Sequence, residues 1–385
     1  DRPAHGATDG AIAAMGGPDD IIVDESFFDN QRKGKGWMWD DGPFGGAYSH
    51  LSALSLNHNG VVVQLAPSTT IGKPVEVTIK PTMDNFIQVK NDSKTTGRRG
   101  RNTLRLNIEP RTDGQPGDKL IVTGSMRQNQ QKIGQHADID EPALYAGYVL
   151  ANLLKEKSIQ FDGTIQYGNT PKEAQEVAIH YSSPLSKIVA RTNKESDNMY
   201  AETLLKTLAA ERISPPGTTK NGIKVVEQFF KEVGIQSKHE IADGSGVSRY
   251  NLITAGMLAD LLVAMFQKTS VMPDFLVSLP TAGREGTMKY RMRGLASEGV
   301  ARAKTGTMTG VNSLAGYNKT ADNELVAFAI IVNNYVSPHR LIRLLQDQIV
   351  NAIASFKHPA QTQQNITVQT NDNIPKEEGM KSRDK

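Results

Sequence analysis

Late in the chain, three strand-forming runs follow one another closely enough to dictate the local fold. Arg302-Ala303-Lys304-Thr305-Gly306-Thr307 and Asn312-Ser313-Leu314-Ala315-Gly316-Tyr317 both alternate their side chains, and Met308-Thr309-Gly310-Val311 between them can turn, which predicts a β-hairpin. Leu325-Val326-Ala327-Phe328-Ala329-Ile330-Ile331-Val332 comes next and is apolar nearly throughout. A strand with no polar face must be covered on both sides, so this run is expected to be the hairpin's buried partner. Lys304 and Thr305 then project from a strand whose backbone lies open to a ligand. Gly306 leaves no side chain in the way, so an extended peptide can lie alongside and pair with backbone groups.

Helices are expected ahead of that sheet. Glu141-Pro142 opens one, with Leu144, Val149, Leu150, Leu153 and Leu154 as its stripe. Ser183-Pro184-Leu185 opens another, through Ile188, Val189 and Ala190, which leads into the loop Glu195-Ser196-Asp197-Asn198. The following helix can be capped by Ser196 or Asp197 and carries Tyr200, Leu204, Leu205 and Leu208 along one side. Two more contain Ile223, Val226, Phe229, Phe230 and Val233, and then Leu258, Leu261, Leu262, Met265 and Phe266 beyond a cap at Thr254. Helices packed with an antiparallel sheet make this part an α/β layered fold.

Between residues 19 and 178 the pattern is mostly of strands. Ile21–Asp24, Leu51–Asn57, Gly60–Leu65, Val75–Ile79, Ile87–Val89, Thr103–Ile108, Leu120–Gly124 and Val177–Tyr181 all read as strands, which predicts a compact, antiparallel β-rich region. Trp37 and Trp39, in the run Gly36 to Asp41, are read as clamps holding an irregular loop onto a small core. Residues 1–18 show no periodicity and are left unassigned as irregular; they contain no charged-then-apolar export signal. Residues 359–385 form a polar tail.

The 385 residues leave room for two or three cores, and 38% hydrophobic with 22% charged residues describe a globular chain. No run approaches the roughly 18 apolar residues of a membrane span, so at most peripheral membrane association is expected. A net charge of +3 is too mild for a nucleic-acid binder, and Arg98-Arg99-Gly100-Arg101 is read as a solvated loop. With no cysteine there is no disulfide framework and no thiolate site. The 8 histidines, His180 among them, are not paired at metal-ligand spacing, so neither a metal nor an organic cofactor is implied.

Ser196-Asp197-Asn198 and Lys304-Thr305-Gly306, together with a Ser-x-x-Lys, are the signature of β-lactamases and penicillin-binding proteins, and here the first two occur in that order. Between them stand Asp243-Gly244-Ser245-Gly246-Val247-Ser248-Arg249-Tyr250, Leu279-Pro280-Thr281-Ala282-Gly283 and Gly286-Thr287-Met288. In wording and order, from about Ile21 to Phe356, the chain resembles the D-alanyl-D-alanine carboxypeptidases of the low-molecular-weight class C, type-4 penicillin-binding proteins. The resemblance implies a transpeptidase/β-lactamase-like domain whose C-terminal portion is 179–358, with the β-rich region over 19–178 as accessory domains inserted within that domain, between its Ser-x-x-Lys and Ser-Asp-Asn elements. It implies an extracytoplasmic hydrolase of the cell envelope, or a secreted one. The partners implied are peptidoglycan stem peptides ending in D-Ala-D-Ala and β-lactam antibiotics.

By that resemblance Ser196 is a hydroxyl relay, Asn198 holds a substrate peptide bond, and Lys304 makes the cleft positive and bonds Ser196. The hydroxyls of Thr305 and Thr307 hold the substrate's terminal carboxylate, beside Gly306, and the Thr307 N–H is an oxyanion donor. One element departs from the pattern: no serine before Ser196 is followed by lysine three positions later, and the only Ser-x-x-Lys is Ser382-Arg383-Asp384-Lys385. The expectation is that the chain lacks the family's N-terminal part, so the penicillin-binding domain is incomplete there and acylates little or not at all alone. A stem-peptide-binding pseudoenzyme is the alternative. A compact β-lactamase is disfavoured, because it has no room for the long strand-rich region.

Overall fold

The computed structural model describes residues 11–13, 20–37 and 49–358. Its strands, in chain order, start with β1 (Ala11–Ala13), β2 (Ile21–Asp24), β3 (Gly60–Ala66), β4 (Glu76–Lys80), β5 (Ile87–Thr96), β6 (Arg105–Pro110), β7 (Asp118–Arg127) and β8 (Ile133–Asp138). There follow α1 (Pro142–Glu156), β9 (Ile165–Tyr167), α2 (Leu185–Arg191), α3 (Asn198–Arg212), α4 (Thr219–Glu232), α5 (Ala255–Gln267) and α6 (Met272–Ser278). The hairpin strands β10 (Arg302–Met308) and β11 (Val311–Lys319), then β12 (Leu325–Asn333) and α7 (His339–Ser355), complete the described chain.

Four three-stranded sheets result, ordered β1-β2-β9, β4-β3-β8, β5-β7-β6 and β10-β11-β12. The first three share one core: Val61, Val63 and Leu65 of β3 meet Leu120 and Val122 of β7, Val23 of β2 and Tyr145 of α1. Tyr145 is fully buried, and its hydroxyl donates to the Gly60 carbonyl at 3.1 Å, so helix and sheet are joined by a satisfied polar contact inside an apolar core.

The β-rich region differs from the sequence reading in several places. β5 and β7 pair in parallel, from Ile87 opposite Asp118 to Thr96 opposite Arg127, because the chain crosses over through β6 instead of turning back directly. Leu51–Asn57 is not a strand, and it leads into a left-handed turn in which Asn57, His58 and Asn59 have φ of 50°, 56° and 52°. Val177–Tyr181 is not a strand either: Val177 is 95% exposed, and no described strand pairs with it. Ala11–Ala13, in the stretch read as irregular, pairs with Ile22–Asp24. Trp39, Asp40, Asp41 and the tail from 359 lie outside the described residues.

The C-terminal sheet is a covered layer, as its apolar third strand requires. Ala303, Leu314 and Phe328 face Met288, Met292 and Val350 of α7, while Tyr317, Ala315 and Ala327 face Leu262 of α5 and Met272 of α6. The hairpin closes at Met308 opposite Val311, leaving Thr309-Gly310 as its loop, with Gly310 at φ 73°. Gly316 lies so close to the Arg302 carbonyl that a Cβ there would stand 2.1 Å from its oxygen.

α3 joins the two regions, and its inner face is partly polar: Glu202, Thr203 and Lys206 are buried with Met199, Leu205 and Ala209. Leu208, expected in the stripe, is exposed. Lys206 turns inward because its ammonium reaches Asp29 at 2.6 Å and the Gln31 carbonyl at 2.8 Å. Phe28 bridges to Gly217 nearby, so the segment after β2 is tied to the middle of α3 and to the chain just beyond its C-terminal end.

Candidate active site

The loop carrying Ser196 is a π-helical turn, Thr192–Ser196, wound between α2 and α3. Ser196 ends it at φ 58°, the left-handed region where a non-glycine residue costs roughly 1 kcal/mol and persists only if its surroundings fix it. Asp197, not Ser196, caps α3, accepting the Tyr200 N–H at 3.1 Å, while its own N–H donates to the Thr192 carbonyl at 3.1 Å. The second carboxylate oxygen of Asp197 faces His58 at 3.6 Å and Arg191 at 3.5 Å. Asn193 donates to the Ser278 hydroxyl at 2.7 Å, and Lys194 pairs with Glu285 at 2.9 Å.

Held in this way, the Ser196 hydroxyl accepts from Lys304 Nζ at 2.7 Å, across 108 residues of chain. The same ammonium donates to the Thr305 carbonyl at 2.8 Å. Burial pushes the Lys304 ammonium down to about 8, within easy reach of discharge at neutral pH. Asn198 is the first residue of α3, placed by the same turn. Two of the three catalytic residues named from the sequence are therefore in contact, and the third opens the adjoining helix.

Along β10 the other named residues alternate as a strand must. The Thr305 hydroxyl, on the face opposite Lys304, donates to the Thr287 hydroxyl at 2.9 Å, and that of Thr307 accepts from the Asn312 amide at 3.2 Å. Gly306 stands opposite Ser313, and a Cβ on it would lie 2.3 Å from the Ser313 hydroxyl. Its lack of a side chain thus makes room for a cross-strand neighbour as well as for a ligand. The outer edge of β10 is covered at its start, where Ala303 N–H donates to the Pro280 carbonyl at 3.1 Å. Beyond that, no described strand pairs with this edge at Lys304–Thr307.

Next to Gly306 and Thr307 opens a groove of about 630 Å³, whose other wall is the run from Asp243 to Arg249. Asp243 organises that run, accepting from the backbone N–H groups of Gly246 at 2.9 Å and Ser248 at 2.5 Å, and from Trp37 Nε1 at 3.1 Å. Trp37 therefore clamps its loop onto this wall. Glu202 supports the same run from α3, taking the Gly244 and Ser245 N–H groups at 2.9 and 2.8 Å, and burial raises its carboxyl. Arg249 spans the groove's end, both terminal nitrogens 3.4 Å from the Thr309 carbonyl. Glu202, Lys194 and Glu285 were not singled out from the sequence, and Asp243 and Arg249 were named only as members of the run Asp243 to Tyr250, without a role. The closely spaced glycines of the 243–250 run were the available signal for a structured wall.

The profile of the family described as D-Ala-D-Ala carboxypeptidase 3 (S13) matches residues 16–355. The chain belongs to this family. A D-alanyl-D-alanine carboxypeptidase of Actinomadura sp. (strain R39) is 32% identical over 352 residues, which is 88% of this chain and 63% of that protein. The chain thus spans less than two thirds of that relative. Penicillin binding protein 4 (dacB) of Haemophilus influenzae has a similar fold, with a TM-score of 0.74 and 21% identity over 90% of this chain and 86% of the other. That protein complexed with a β-lactam also matches, with a TM-score of 0.67 and 23% identity over 79% of this chain and 71% of the other. The class C, type-4 assignment and the α/β penicillin-binding fold made from the sequence both stand.

Proposed function

We propose that the chain forms the substrate-gripping part of a serine-type D-Ala-D-Ala carboxypeptidase and endopeptidase acting on peptidoglycan outside the cytoplasm. The observation that carries this reading is the 2.7 Å contact between Lys304 Nζ and Ser196 Oγ, which joins the two motifs that family membership makes functional. In this reading the accessory part runs over 19–178 and the catalytic part over 179–358. A stem peptide lies along the open edge of β10, its C-terminal carboxylate held by the Thr305 and Thr307 hydroxyls in the field of Lys304. Asn198 takes a peptide bond further along, and the Thr307 N–H meets the developing oxyanion.

Ser196 then serves as a proton relay towards the leaving D-alanine. Its hydroxyl can accept from Lys304 and donate onward in the same step, and the lowered Lys304 ammonium eases the exchange. The acyl-accepting serine itself requires a lysine one helical turn later, and no serine before Ser196 satisfies that spacing. Taken by themselves, the residues of this stretch of chain support, as a second reading, binding of stem peptides and β-lactams at the same site without turnover.

Incubation with fluorescent penicillin tests the groove in two ways: protection of the groove from proteolysis before denaturation reports binding, and a band after denaturing electrophoresis reports an acylated serine. Reversible protection of the groove without a covalent band is expected for this chain. A stable band would show that one of its serines is acylated and would overturn the assignment of the nucleophile to a Ser-x-x-Lys that it does not carry in its described part. No protection by penicillin and no covalent band would count against the substrate-gripping reading itself.

A further inference from the structure

Glu285 belongs to neither signature motif, yet its carboxylate faces the chain leading into each of them. Oε2 accepts from Lys194 Nζ at 2.9 Å, and Oε1 accepts from the Thr281 hydroxyl at 3.0 Å and lies 3.9 Å from an Arg302 nitrogen. Lys194 stands two residues before Ser196, and Arg302 two residues before Lys304. Arg302 and Lys304 therefore project from the same face of β10, and Lys194 and Ser196 share one tight turn.

The neighbours of Glu285 strengthen the connection. Gly286, at φ 52°, approaches the Lys194 backbone so closely that a Cβ would stand 2.4 Å from its carbonyl oxygen. Thr287, next in line, takes the Thr305 hydroxyl. Partial burial pushes the Glu285 carboxyl up, but hydrogen bonds from Lys194 and Thr281 and the charges of Lys194 and Arg302 outweigh it and bring the group below its ordinary value. It is held ionised between two cations.

We propose that Glu285 is a positioning residue: by gripping Lys194 and Arg302 with one carboxylate, it sets the distance between the Ser196 hydroxyl and the Lys304 ammonium. The proposal rests on the reading of those two groups as one site. Ser196 occupies a strained left-handed conformation and Lys304 a partly dried one. Neither is an arrangement that a loose turn would keep. Glu285 lies on the third segment between them, so a shift of that segment moves both groups.

The test follows the Lys304 side chain by NMR in the full chain with isotope-labelled lysine, its signal identified by its loss in Lys304→Met. In the unsubstituted protein it should titrate near pH 8. In Glu285→Gln the titration is expected to move up by about one pH unit, as the contact with Ser196 loosens and water enters. Simple loss of a nearby negative charge would move a lysine down, so the direction separates positioning from charge removal. Glu285→Asp keeps the charge but is one methylene too short to hold both partners, and should shift Lys304 the same way; it decides the matter alone if Glu285→Gln does not fold. An unchanged or lowered Lys304 titration in the folded variants overturns the proposal. If instead the unsubstituted protein titrates at the ordinary lysine value, the reading of Ser196 and Lys304 as a site fails, whatever Glu285 does.

Discussion

Replacing Lys304 by methionine keeps most of the side-chain volume and removes the charge, so it isolates what the partly dried ammonium contributes to stability. Burial lowers its pKa from 10.5 to about 8, a difference of about 2.5 pH units. At roughly 1.4 kcal/mol per unit the limiting effect is about 3.5 kcal/mol, and solvent screening on the exposed side of the ammonium reduces it to about 2 kcal/mol. The unfolded lysine keeps its proton up to its ordinary value, whereas the folded one releases it above about 8. Between those values the unfolded state binds more protons, so this group makes the native protein more stable as pH rises. Urea unfolding of both proteins at intervals from pH 7.5 to 10.5 reads the difference directly. The stability of Lys304→Met relative to the parent is expected to fall by about 2 kcal/mol across that window. A difference that stays constant with pH would mean that Lys304 is solvated like any surface lysine, and the relay through Ser196 would lose its basis.

Two further substitutions test the frame around the site. Gly316→Ala places a Cβ against the Arg302 backbone carbonyl, which cannot rotate away, so a loss of roughly 2–3 kcal/mol in urea unfolding is expected; parental stability would contradict the register of β10 on β11. Asp118 is only 2% exposed, and burial raises its carboxyl to about 7. The folded state therefore holds its proton between about pH 4 and pH 7 while the unfolded state releases it, and this group destabilises the protein as pH rises. Asp118→Asn should be more stable than the parent by about 2 kcal/mol at pH 7.5, with little advantage at pH 4; an advantage independent of pH would refute the account.

Local chemistry made much of this fold legible. Thr254 caps α5, Pro142 opens α1 and Thr309-Gly310 turns the hairpin, because each of these depends on neighbours within a few residues. Val177–Tyr181 has the composition of a strand, but a strand forms only where another supplies its hydrogen bonds, and composition does not encode a partner. On α3 the apolar pattern points to Leu208, whereas the buried positions include Lys206 and Glu202, whose partners Asp29 and Gly244 lie far away in sequence. The parallel pairing of β5 with β7 depends on a crossover in the same way.

The site divides along the same line. Ser196, Lys304 and Gly306 could be named because their motifs are short and contiguous. The residues that hold them could not, because Lys194, Thr281 and Arg302 converge on Glu285 only after folding. Asp197 illustrates the intermediate case: it was one of two possible caps, and the left-handed turn at Ser196 decides between them by turning the serine towards Lys304.

Calorimetric titration with a short peptide ending in D-Ala-D-Ala, against the same peptide with its C-terminal carboxylate amidated, tests the central claim most directly. Binding of the free acid is predicted, weakened at least tenfold, about 1.4 kcal/mol, both by amidation and by Lys304→Ala. Equal affinity for acid and amide, or binding indifferent to Lys304, would contradict a peptide held along β10 in the field of that ammonium.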